Sequence, residues 1–169
     1  MDIFTEISLQ NLNALATRDE KSFKQLARKL KKVSKQEIDS FVHTWDAELF
    51  SDTDCLQCAN CCRSLGPMLT NRDIDRLAKH LKIKPSAVVS KYLRQDEDGD
   101  YVFQSMPCPF LMADNYCMVY EARPKACREY PHTGKINFKQ VLQLSIKNSK
   151  TCPMVYKILK ELAAKYGNG

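Results

Sequence analysis

Four cysteines fall within eight residues, in Cys55-Leu-Gln-Cys58-Ala-Asn-Cys61-Cys62. Cysteines two residues apart on a tight turn can aim their sulfurs at one point, so a short loop can hold a thiolate-loving ion. The other cysteines, Cys108, Cys117, Cys127 and Cys152, stand far downstream. Any site they share with the first cluster must be closed by folding. The expectation is a metal centre in which the cluster is one half and the later cysteines the other, so that all eight are ligands.

Redox context supports ligation over disulfides. Met1-Asp2-Ile3-Phe4-Thr5-Glu6 has no basic segment followed by an apolar one, and no apolar run reaches bilayer length. The expected setting is the cytoplasm, with no membrane span, and thiols there stay reduced. The formal charge of +6 leaves out thiolates. Eight thiolates around two Zn²⁺ would bring it to about +2. The basic excess is therefore weak evidence for nucleic acid.

Along the chain, Ile3, Phe4, Ile7, Leu12, Leu15 and Ala16 are loosely helical in spacing, and Phe23, Leu26, Ala27, Leu30 and Val33 form one apolar stripe. Lys21, Lys24, Arg28, Lys29, Lys31 and Lys32 cover the rest of that helix, which reads as a solvated face or a phosphate-contacting one. Ser34 and Glu37 fit a capping box that opens a helix with Ile38, Phe41, Val42, Trp45 and Leu49 inside. His43 reads as a hydrogen-bonded histidine, and Trp45 as a core anchor. Ser51 to Asp54 is a polar loop, and Arg63 to Pro67 a turn.

Thr70 with Asp73 repeats the capping pattern before Ile74, Leu77, Ala78 and Leu81. Pro85 breaks the chain, and Ala87, Val88, Tyr92 and Leu93 mark another short helix. Two short helices can mimic a helix-turn-helix reader, yet the second offers only Lys91 and Arg94 to phosphates. Tyr101 to Phe103 is a strand, with Cys117 to Tyr120 its expected partner and Asp114-Asn115 a turn between. Phe138, Val141, Leu142 and Ile146 fit helix or strand. Cys152-Pro153 caps a last helix carrying Val155, Ile158, Leu159, Leu162 and Tyr166.

C-x2-C-x2-C plus a remote Cys-Pro is the ligand pattern of a [4Fe–4S] cluster, and Cys108-Pro109 and Cys152-Pro153 both supply the partner. C-x2-C with remote cysteines is also the pattern of structural Zn²⁺. Both use thiolate, so the residues leave the two open. Adjacent Cys61 and Cys62 should diverge, so that they serve different sites or one of them stays inside the core; one partition is Cys55, Cys58 and Cys61 with one remote cysteine and Cys62 with the other three. Arg63, Arg123, Lys125 and Arg128 flank cysteines and would offset thiolate charge.

The ordered blocks Cys55-x2-Cys58-x2-Cys61-Cys62-Arg63, Leu69-Thr70-x2-Asp73-Ile74-x2-Leu77, Cys108-Pro109-Phe110-Leu111 and Cys117-Met-Val-Tyr120-Glu121-x-Arg123-Pro124-x2-Cys127-Arg128-x2-Pro131 resemble the YkgJ family of cysteine-cluster proteins over roughly residues 52–155. Ala59 stands where that family often has glycine. The resemblance implies a zinc- or iron-chelating domain and a metal ion or cluster as the bound partner. Flagellin lysine N-methylase carries a similar cysteine pattern, which makes a protein-lysine methyltransferase the rival reading. The chain has five glycines and no Gly-rich strand-turn-helix loop for S-adenosylmethionine. A nucleic-acid binder using the basic helix at 21–32 is the third reading, and aromatic residues near that helix are few.

The expected fold is mainly α, small α+β: helices around a cysteine-ligated metal centre with a short β-hairpin. The expected parts are a helical layer at 1–50, a cysteine-cluster domain at 51–155 and a C-terminal helix at 156–169. Together they are expected to make one compact domain. The expected function is metal binding with a structural, redox or metal-handling role.

Overall fold

A computed structural model describes residues 8–51 and 53–167. Ile3, Phe4, Ile7 and Asp52 lie outside the described residues. In chain order the helices are α1 (Leu9–Lys29), α2 (Lys35–Ser51), α3 (Cys55–Cys58), α4 (Asn60–Ser64), α5 (Asn71–Leu81), α6 (Pro85–Tyr92), α7 (Lys125–Glu129), α8 (Phe138–Asn148) and α9 (Pro153–Tyr166). Short 3₁₀ turns cover Leu30–Lys32 and Tyr120–Ala122, and strands β1 (Leu93–Gln95) and β2 (Tyr101–Phe103) form the sheet. Mainly helical with one small hairpin is the expected class.

The chain divides into two compact units, one of Met1–Asp54 with Pro131–Gly169 and one of Cys55–Tyr130. The first unit is a helical cluster. The stripe of α1 buries Leu12, Ala16, Phe23 and Leu26. It shares one core with Ile38 and Val42 of α2, Phe138, Leu142 and Ile146 of α8, and Val155, Tyr156, Ile158, Leu159 and Leu162 of α9. Burying each such side chain contributes about 1.5–3 kcal/mol, far more than helix propensity does. Phe23 meets Tyr156 edge-on at 5.9 Å.

Several sequence signals are visible as contacts here. Ser34 Oγ accepts from the amide of Glu37 at 3.2 Å. Pro153 stands in the first turn of α9, with Cys152 as its cap residue. The helix-or-strand question at residues 138–146 is answered by Asp39, a buried carboxylate on α2. It accepts from the amides of Asn137 and Phe138, both at 2.8 Å. Those are N–H groups that a helix start leaves without intrahelical partners, so Asp39 fixes where α8 begins. His43 is hydrogen-bonded, Nε2 lying 3.2 Å from the Lys135 carbonyl. Trp45 packs half-buried against the core.

The second unit has its own core of Leu69, Ile74, Leu77, Val88, Leu93, Phe103, Phe110 and Val119. Thr70 and Asp73 form the expected reciprocal capping box at the start of α5. Lys82, at φ 57, ends that helix. Pro85 stands inside α6 as its first residue, and Leu93, expected in that helix, instead opens β1 opposite Phe103.

The pairing of β2 corrects the expectation. Its partner is β1, with Leu93 opposite Phe103 and Gln95 opposite Tyr101. The acidic loop between them is a tight reversal. Asp96 Oδ1 accepts from the amides of Asp98 at 3.1 Å and Asp100 at 2.9 Å, and Gly99 takes φ 83. A loop that closes so locally pairs its own flanks before a distant segment can compete. The Asp114-Asn115 turn does form, and it brings Cys117 opposite Leu111 in an isolated bridge.

Candidate metal centre

Among the described residues, all eight cysteines are thiols with no disulfide between them. Seven belong to the second unit. Cys152 belongs to the first, where it precedes Pro153 and packs against the core there.

The first cluster is a helical turn, a reversal and a second helical turn. α3 spans Cys55–Cys58, and Ala59 at φ 45 joins it to α4. A left-handed alanine lets the chain change direction within one residue, at a cost of about 1–2 kcal/mol. Cys55 is exposed, while Cys58, Cys61 and Cys62 are half-buried. The sulfurs of Cys61 and Cys62 approach to 4.0 Å, so these neighbours do not diverge as expected.

Three later segments carry the other cysteines of this unit, and the first of them is tied directly to Cys62. The Cys108 amide donates to the Cys62 carbonyl at 2.8 Å, and the Leu111 amide donates to the Cys108 carbonyl at 3.0 Å. Leu111 bridges Cys117. Cys108 and Cys117 both pack against the second core. Cys127 lies on α7, whose start is held from below by Asp73. Asp73 Oδ1 accepts from the Lys125 amide at 2.9 Å and from Arg76, while Oδ2 accepts from the Thr70 amide at 2.9 Å. Arg76 also donates to the Arg123 carbonyl at 2.9 Å.

Electrostatics groups the same four sulfurs. Burial first, with charge on Cys62 and Cys117 adding to it, pushes the Cys108 thiol up to about 11. Burial pushes Cys127 up to about 12, with Cys108, Cys62 and Cys117 adding to the rise. Cys117 is raised too, by burial first and then by Cys62. Every pair within Cys62, Cys108, Cys117 and Cys127 thus repels when ionised. Cys62 departs in the other direction. The Cys61 thiol contact, with Arg123 and Arg63 nearby, outweighs burial and lowers it to about 7.

Of the four flanking cations, Arg63 and Arg123 act on the thiols. Arg63 donates to the Cys58 carbonyl at 3.1 Å and to Asn115 Oδ1, tying the cluster to the 111–117 turn. Arg123 lies over the Tyr120 ring at 3.5 Å and favours ionised Cys62, Cys117 and Cys127. Lys125 instead pairs with Glu129 at 3.8 Å.

Among the described residues, no three Cys, His, Asp or Glu side chains are already gathered in metal-holding geometry. The donor set nevertheless fits a thiophilic ion. It offers half-buried sulfur from four backbone segments, mutual repulsion that a cation would relieve, and two arginines offsetting the remaining charge. Asp73 and Asn115 are the positioning residues that spacing alone did not mark. Asp73 was visible only as a helix cap.

The sequence pattern of the CxxCxxCC family, described as a putative zinc- or iron-chelating domain, matches residues 54–153. An uncharacterized protein of Methanocaldococcus jannaschii, MJ0661, is 29% identical over 106 residues. That match covers 60% of this chain and 57% of the relative's length. No solved structure matches the chain. Among the described residues, no helix is long and apolar enough to cross a membrane.

Proposed function

We propose, for a chain that belongs to the CxxCxxCC family of zinc- or iron-chelating domains, that Cys62, Cys108, Cys117 and Cys127 form one thiolate metal centre that holds the second unit together. The observation that carries this reading is the Cys108–Cys62 hydrogen bond together with the Leu111–Cys117 bridge, which bring these segments close enough for their thiols to raise one another. A bound Zn²⁺ or iron centre would supply positive charge and bonds to sulfur at that point. Asp73 keeps α7 in place, the Arg63–Asn115 contact keeps the cluster against the 111–117 turn, and Arg123 offsets thiolate charge.

Cys55, Cys58 and Cys61 are proposed as a second, more exposed ligand group on the same loop. Cys152 enters on its Cys-Pro context alone. The role proposed is structural or metal-holding, since Cys108 and Cys117 stand half-buried and pack against the second core.

Metal analysis of anaerobically purified protein tests this, with Cys58→Ser, Cys62→Ser, Cys127→Ser and Cys152→Ser alongside. Each substitution is expected to lower the metal bound per chain, and Cys62→Ser and Cys127→Ser also to destabilise the second unit. Brown colour would identify an iron–sulfur centre, and colourless zinc-loaded protein a zinc site. Unchanged metal content in Cys62→Ser and Cys127→Ser would refute the assigned centre.

A further inference from the structure

Three aromatic side chains of the first unit meet beside a carboxylate. Phe41 and Trp45 stand one turn apart on α2, with centroids 6.4 Å apart and planes at 54°. Tyr166, on the last turn of α9, meets Phe41 edge-on at 6.0 Å and 76°. Its hydroxyl donates to Glu37 Oε1 at 2.8 Å, which holds that carboxylate at the rim. Glu37, Ser40, Phe41, Thr44, Trp45 and Lys165 line a shallow, open cleft of about 330 Å³. The Lys165 ammonium lies 4.6 Å from the Phe41 centroid and 4.9 Å from that of Tyr166. The cleft thus already receives an ammonium, supplied by the chain itself.

Aromatic faces attract cations through the ring quadrupole, tryptophan most strongly, and a carboxylate at the rim adds net charge. A lysine ammonium is compact and strongly hydrated, so it gives up much solvation to sit there. A methylated ammonium spreads the same charge over apolar carbon and loses less. We propose that this cleft binds a quaternary ammonium group, and that Lys165 is an internal competitor for it. The group could come from a small molecule such as choline or from a trimethylated lysine in a peptide, and the two present the same cation.

The chain has one tryptophan, Trp45, so its fluorescence reports on the cleft. The 169-residue chain as purified is titrated with tetramethylammonium chloride, with sodium chloride as the ionic control. A saturable change in Trp45 emission is expected, absent with sodium. Lys165→Ala, or Lys165→Gln if that variant folds poorly, is expected to bind about tenfold tighter, because the competitor is gone. Glu37→Gln and Phe41→Leu are each expected to bind at least about fivefold more weakly, with circular dichroism confirming their fold. Choline and a trimethyl-lysine peptide are then compared. Tighter binding of either supports the site and identifies the source. No saturable response in both the parent and the Lys165 variant, or an undiminished response in Glu37→Gln and Phe41→Leu, overturns the proposal.

Discussion

The amide of Cys108 donates to the carbonyl of Cys62 at 2.8 Å, so two cysteines far apart in the chain share one backbone hydrogen bond. That bond sets the depth of the proposed centre. Cys108 lies half-buried against the second core, and its thiol is pushed up to about 11. Cys127 stands at about 12, Cys117 is also raised, and Cys62 alone sits at about 7. At neutral pH the metal-free protein therefore keeps three of the four as thiols, and a metal must displace their protons. Metal affinity is expected to rise steeply from pH 6 to 8, with a slope falling from near four protons per centre to near three as Cys62 ionises, because every protonated thiol must ionise on binding. Chelator competition at a series of pH values measures the slope. A pH-independent affinity would contradict ligation by these thiols.

The same ordering predicts alkylation. In metal-depleted protein at pH 7, iodoacetamide should modify Cys62 before Cys108, Cys117 or Cys127, since thiolate is the nucleophile and Cys62 is the one lowered to about 7. Peptide mapping after brief exposure reads the order. Equal labelling of all four would show that the Cys61 contact and the Arg123 and Arg63 charges do not act as described.

Asp73 joins two helices through a single carboxylate. It caps α5 with one oxygen and holds the start of α7, two residues from Cys127, with the other. Burial raises its pKa, but hydrogen bonds from Thr70, Lys125 and Arg76 outweigh that and hold it below the usual carboxylate value. Asp73→Asn keeps the size but loses the charge and one acceptor face. The expected cost is about 2–3 kcal/mol, read from urea unfolding, together with weaker metal retention. Full retention of both would reduce Asp73 to an ordinary helix cap.

Much of this was legible beforehand because local signals act locally. The stripe at Phe23, Leu26 and Leu30, the caps at Ser34 and Thr70, and the prolines at 85 and 153 each dictate structure within a turn or two. The hairpin partner was not legible. Leu93-Arg94-Gln95 carries one buried residue in three, which is no strand signal, and only the closure of the Asp96–Asp100 loop selects it. The second duty of Asp73 was hidden for a related reason: a capping box predicts contacts three residues away, not the amide of Lys125 in another helix. The adjacency of Cys61 and Cys62 suggests that Cys62 joins three remote cysteines, but the proposed choice of Cys108, Cys117 and Cys127 over Cys152 depends on long-range closure, which spacing does not encode.

Ala59 supplies a backbone prediction. It is buried and sits at φ 45, where glycine is at ease. Replacing it with glycine relieves about 1–2 kcal/mol of left-handed strain. It also gives up about 0.5–1 kcal/mol to chain entropy and about 0.8 kcal/mol of methyl burial. These nearly cancel, so Ala59→Gly should change stability by less than about 1 kcal/mol. Ala59→Val adds a branched side chain at the same angle and should cost more than about 2 kcal/mol with loss of metal. Thermal unfolding of the two variants decides it, and a well-folded valine variant would mean that the reversal between α3 and α4 is not held.

Acid stability rests partly on Asp19. Its carboxylate is held well below the usual range, first by the Arg18 hydrogen bond, against burial, and then by Tyr156 and Lys160. The Tyr156 hydroxyl donates to it at 2.8 Å and Lys160 at 3.1 Å. A carboxylate whose folded pKa is depressed adds stability above its unfolded value, about 3.9, and that stability is lost as pH falls below it. Asp19→Asn should therefore be less stable than the parent by about 1 kcal/mol at pH 7, with the gap closing below about pH 4. Comparing the two proteins at each pH cancels any effect of acid on the metal centre, which both share. A gap that stays constant from pH 7 to 3 would mean that Asp19 acts through its shape and not its charge.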